Sequence, residues 1–107
     1  MELTSGKLLR IYVDEHDLAG TKPRYVALVQ ALRDAGIAGA TVLRGIEGFG
    51  SHGVIHTSKL FHGGPMPLVV EAIDTPSKID AVVDTLAALT GESPIIMQDV
   101  VFARFGT

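Results

Sequence analysis

The sequence predicts an α+β domain in which two helices lie on one face of a four-stranded antiparallel sheet. Three observations carry this reading. Residues 7–13 alternate, with Leu9, Ile11 and Val13 on one side and Leu8, Arg10 and Tyr12 on the other, the period of a strand with one face in a core. Two other segments repeat apolar residues at i, i+3, i+4 and i+7, the period of an amphipathic helix. The halves 7–47 and 67–104 run through the same order of elements, so the whole reads β-α-β-β-α-β, the ferredoxin-like arrangement.

Each element has its own signal. After the first strand, residues 14–22 are polar, with Asp14, Glu15, His16 and Asp17 in a row, and read as a loop. Its acidic residues suit a solvated turn, or a divalent cation if they converge. Residues 23–35 form the first helix, with Tyr25, Leu28, Val29 and Leu32 as its stripe, Thr21 as N-cap, Pro23 in the first turn and Gly36 as the stop. Residues 40–47 form the second strand and lead into Gly45, Gly48 and Gly50, which let the backbone turn and approach something closely. A loop over 51–66 follows, long for a small domain and therefore expected to be functional. The third strand, 68–73, stops at Asp74; Thr75 and Pro76 open the second helix, striped by Ile79, Val82, Val83 and Leu86 and ended by Gly91. Pro94 leads into a last strand over 95–104. The sheet face away from the helices is mixed and apolar, which calls for a cover, and self-association is the simplest one.

Composition narrows the function. The chain has 107 residues, enough for a single domain, and is 47% hydrophobic, rich for a small domain unless some apolar surface is covered in an oligomer. No apolar run approaches the ~18 residues of a membrane span, and the N-terminal residues lack the basic-then-apolar pattern of a signal peptide. The absence of cysteine fits a cytoplasmic protein and excludes thiol nucleophiles and zinc–thiolate sites. A net charge of -3 argues against a general nucleic-acid binder.

Few residues suggest chemistry directly. No serine sits in a G-x-S-x-G elbow, and no Walker A spacing occurs. Arg44 and Lys59 are candidate anion ligands near the glycine turn. Arg104, which closes the last strand, would matter if that strand end faced the glycine turn of a neighbouring subunit, since guanidinium groups suit phosphate. His52 and His56 stand four apart, but Gly53, Val54 and Ile55 argue against a helix there.

The stretch Gly36-Ile-Ala-Gly-Ala-Thr-Val-Leu-Arg-Gly-Ile-Glu-Gly-Phe-Gly50 closely resembles the signature of the DUF190 family of PII-like signalling proteins. His56-Thr-Ser-Lys-Leu60, Pro67-Leu-Val-Val-Glu71 and Gly20-x-x-Pro23 fit as well, so the resemblance spans residues 1–107 as a single domain. A looser similarity extends to the PII nitrogen regulators, which share the fold. The resemblance implies a homotrimer packed through its sheets, with an adenine nucleotide (AMP, ADP or ATP) in clefts between subunits and no enzymatic activity. It implies that Thr41, Gly48, Phe49 and Gly50 belong to the nucleotide cleft, that Glu71 and Ile73 line it from the third strand, and that Arg104 is one of two closing arginines. Arg44 joins them as an anion ligand. Residues 51–66 correspond to the T-loop, which reports the ligand to a partner, with His52, His56, Lys59 and Phe61 as contact candidates. Some members are encoded with fluoride exporters, which suggests a membrane transporter as partner.

The sequence also departs from the PII pattern. The segment Thr90-Gly-Glu-Ser-Pro94 is short and lacks the phosphate-gripping lysine, and Phe102 stands where the other closing arginine is expected. Both departures favour a nucleotide with fewer phosphates. Phe61 stands near the place of the modified T-loop tyrosine, so uridylylation is not expected. Two alternatives use other residues. A metal-binding trimer of the CutA type would employ His52, His56 or His62 with Glu47. A small acyl-phosphate hydrolase would need an anion cradle at Arg44, but the chain contains no asparagine and no general base beside it.

Overall fold

The computed structural model of the protein describes residues 1–49, 55–57 and 66–104. Four strands build the main sheet: β1 (Glu2–Asp14), β4 (Ala40–Arg44), β7 (Pro67–Asp74) and β8 (Ile95–Arg104). Their order is β4-β7-β1-β8, antiparallel at every pairing. Helices α1 (Arg24–Asp34) and α2 (Pro76–Ala87) cover one face. Two small hairpins are added, β2 (Leu18–Ala19) with β3 (Lys22–Pro23), and β5 (Glu47–Phe49) with β6 (Ile55–Thr57). The α+β, ferredoxin-like expectation therefore holds. No helix among the described residues is long and apolar enough to cross a membrane.

The helices form where the apolar stripes demand. Leu28 and Leu32 from α1 and Ile79, Val82 and Leu86 from α2 are buried against Leu9, Ile11, Val13, Leu68 and Val70 of the sheet. Burying each such side chain contributes about 1.5–3 kcal/mol of transfer free energy. The end of α1 is a Schellman motif. Gly36 takes a φ of 77°, and the N–H groups of Gly36 and Ile37 donate back to the carbonyls of Arg33 and Leu32 at 3.0 and 3.1 Å. Asp74 makes a second tie: its carboxylate accepts the N–H groups of Ala38 (2.9 Å) and Thr75 (2.6 Å), fastening the α1–β4 connection to the start of α2.

Several boundaries differ from the sequence reading. β1 begins at Glu2, because its first residues pair with β8 even where they pair with nothing else: Glu2 faces Arg104 and Gly6 faces Val100. Residues 2–6 and 100–104 thus form a two-stranded ribbon running past the end of β7, whose pairing with β1 starts at Lys7. The N-cap of α1 is Pro23 rather than Thr21, with φ -54° and ψ 134°. Thr75 does cap α2 with Pro76 in its first turn, but makes no side-chain capping bond. Helix α2 stops at Ala87, and Gly91 lies in the turn that follows.

The polar segment after β1 is held by one arginine. Arg24 donates Nε to Asp17 Oδ2 at 2.8 Å, Nη2 to the Leu18 carbonyl at 2.7 Å and Nη1 to the Leu89 carbonyl. It joins the β2–β3 hairpin to the end of α2. A methyl group on Gly91 would stand 3.1 Å from Arg24 Cζ, so the turn packs directly on the guanidinium.

Candidate functional site

The alternation of β1 leaves Arg10 and Tyr12 on the face opposite the helices, and the registers extend that face across the sheet. Arg10 stands opposite Glu71 on β7 and Ile96 on β8, while Glu71 stands opposite Thr41 on β4. Two predicted cleft residues, Thr41 and Glu71, are therefore direct cross-strand neighbours, with Ile73 on the same face and 43% exposed. Glu71 Oε2 accepts Arg10 Nε at 2.8 Å. That hydrogen bond raises the Arg10 pKa above its ordinary value against the lowering effect of burial. Around the pair the face is apolar: Tyr12, Leu43, Ile73 and Ile96 are all substantially exposed.

A second group sits at the corner where β4 gives way to β5. The predicted second strand breaks here at Gly45, and β5 turns into its own hairpin with β6, setting Gly48 opposite His56 and Phe49 opposite Ile55. What Gly45 approaches closely is the chain itself: its N–H donates to the Pro67 carbonyl at 2.7 Å, and a methyl group on it would come 2.9 Å from Pro67 Cγ. Phe49 and Ile46 project here, 76% and 75% exposed.

Arg44, predicted to meet an anion, is paired with Glu15: Nη2 to Oε2 is 3.0 Å. Glu15 Oε2 also accepts the Met66 N–H at 3.3 Å, and the Glu15 N–H donates to the Met66 carbonyl at 2.9 Å. Glu15 thus fastens together the chain entering residues 45–66 and the chain leaving them. Sequence reading missed this role because Glu15 stood in an acidic run. In the structure that run disperses. Asp14 accepts the His16 N–H, Glu15 turns to Arg44, and Asp17 turns to Arg24. Among the described residues no group of three His, Cys, Asp or Glu side chains could hold a metal. His52, Lys59, Phe61, His62 and Gly50 lie outside the described residues, and of His56 only the backbone is described.

The remaining predicted residue, Arg104, lies elsewhere. β8 is the edge strand opposite β4, and Arg104 pairs with Glu2 at the far end of β1. Arg44 faces Leu68, which faces Val13. Glu2 and Val13 are roughly 37 Å apart at ~3.4 Å per residue along the strand. Within one protomer the glycine corner and Arg104 are diagonal opposites. Phe102, near Arg104, lays its ring over Gly6, where an added methyl group would come 2.5 Å from Phe102 Cε1.

The chain is similar to several known proteins. It is 40% identical over 80 residues to the UPF0166 protein of Aquifex aeolicus VF5, covering 74% of this chain and 76% of that protein. Among solved structures it resembles CPII, a nitrogen regulatory PII-like protein from Thiomonas intermedia K12, bound to ADP and bicarbonate. The TM-score is 0.68 at 18% identity, covering 96% of this chain and 93% of that one. The divalent ion tolerance protein CutA1 from Ehrlichia chaffeensis is similar with a lower TM-score, 0.58 at 15% identity, covering 89% and 80%. At these identities the structural likenesses establish a shared fold. The DUF190 family model (Uncharacterized ACR) matches residues 6–102, and the chain belongs to that family.

Proposed function

We propose that this protein is a non-enzymatic PII-like regulator that assembles as a homotrimer in the cytoplasm and binds an adenine nucleotide between its copies. The observation that carries the reading is the division of the candidate ligand residues. Thr41, Gly48 and Phe49 lie toward one corner and Arg104 at the diagonally opposite one, so a single pocket containing both needs two copies. The exposed apolar sheet face supplies a surface for such association. The structural likeness to CPII, solved with ADP in one structure and with ADP and AMP in another, supports the choice of ligand class. ADP and AMP are preferred over ATP, because segment 90–94 carries no lysine for a terminal phosphate. A partner, such as a fluoride-exporting membrane transporter, reads the bound state through residues 51–66.

Calorimetry and thermal unfolding with AMP, ADP and ATP test this reading. A ligand that binds only the folded assembly raises its stability with the logarithm of ligand concentration over Kd. ADP or AMP is expected to raise the unfolding temperature, and Arg104→Ala to weaken that binding more than about tenfold, or ~1.4 kcal/mol, in protein of unchanged assembly mass. No response at millimolar nucleotide overturns the ligand class, and unchanged affinity in Arg104→Ala removes Arg104 from the site.

A further inference from the structure

The Arg10–Glu71 pair is out of keeping with its surroundings. It sits in the interior of the sheet face left uncovered by the helices, bordered by Tyr12, Ile73 and Ile96. In water such a pair contributes about 0–1 kcal/mol, and the fold below it is held by a core on the other face. The pair is also only half used. Arg10 donates through Nε alone to Glu71 Oε2. Among the described residues neither of its Nη groups, nor Glu71 Oε1, makes a further hydrogen bond.

We propose that Arg10 and Glu71 fix the register between copies of this chain, with an Arg10 Nη group of one copy donating to Glu71 Oε1 of the next. The inference rests on the reading that this face joins copies. Charge complementarity selects the occupant. The face carries adjacent groups of opposite sign and no net charge, with donors unused on one and an acceptor unused on the other. A strongly charged partner would meet one like charge. A wholly apolar partner would desolvate both ions with nothing in return. A second copy of the same face brings a fork to each carboxylate and a carboxylate to each fork. Desolvated in that setting, the pair tolerates joint replacement or exchange but not loss of one member, which strands a buried charge.

The test is the solution mass, by light scattering after size exclusion at micromolar concentration, of the wild type, Arg10→Glu, Glu71→Arg and the double exchange. Far-UV circular dichroism reports the fold of each. The wild type is expected to be multimeric, both single reversals to be monomeric, and the double exchange to regain the wild-type mass. Glu71→Gln, a milder change that leaves the protomer fold intact, is expected to raise the assembly Kd at least about tenfold. Single reversals that keep the wild-type mass, or a folded double exchange that stays monomeric, overturn the register role while leaving self-association standing. A monomeric wild type overturns both.

Discussion

Arg24 donates to three acceptors on two segments: the Asp17 carboxylate and the Leu18 carbonyl on one, the Leu89 carbonyl on the other. Its side chain is only 15% exposed, so these charge-assisted bonds are poorly replaced by water. Arg24→Ala is expected to lower stability by roughly 2–4 kcal/mol, read as a reduced urea midpoint. Arg24→Lys recovers little of it, because a single ammonium cannot reach three acceptors set out for a planar fork. At the same scale, Glu15 is the residue whose meaning changed most on folding. Its partner Arg44 lies 29 positions away and Met66 lies 51 positions away, so no local pattern could have singled it out.

Among the elements, the meeting of β4, β5 and β7 makes the sharpest demand on side-chain size. Gly45→Ala would push a methyl group to 2.9 Å from Pro67 Cγ and 3.2 Å from the Pro67 carbonyl, whose hydrogen bond to Gly45 N–H is 2.7 Å. A loss of roughly 1–3 kcal/mol is expected in thermal unfolding. Gly48→Ala, 3.4 Å from the same ring carbon, serves as the tolerant comparison, with a change below about 1 kcal/mol. Both helices and the four main strands were legible in the sequence, since a core on one face imposes the 3.6 and 2.0 periods directly. The first part of β1 was not: residues 2–6 have no buried stripe and are ordered only by β8, nearly the whole chain away. Nor was β5, whose three residues gain their conformation from pairing with β6. The candidate site was legible in part. Thr41 and Glu71 could be named from the motif, but their adjacency, and the Arg10 beside them, needed the β4–β7–β1 register.

For the whole molecule, the two sheet faces divide the labour. The helix-covered face holds the core, while the other leaves Tyr12 49% and Leu43 49% exposed. Tyr12→Lys is expected to yield a folded chain that sediments as a monomer, since Tyr12 takes no part in the core cluster and the change places a charge where copies would meet. The same separation applies at the corner held by Glu15. There Gly45 bonds to Pro67 and Glu15 to both Arg44 and Met66, so the ends of the intervening chain are pinned together whatever runs between them. Once the ends are fixed, doubling the length of the insert costs only about 0.6 kcal/mol of closure entropy. The sheet is therefore a socket whose two contacts do not depend on what is plugged between them. Substitutions and changes of length in that insert are expected to leave the fold standing.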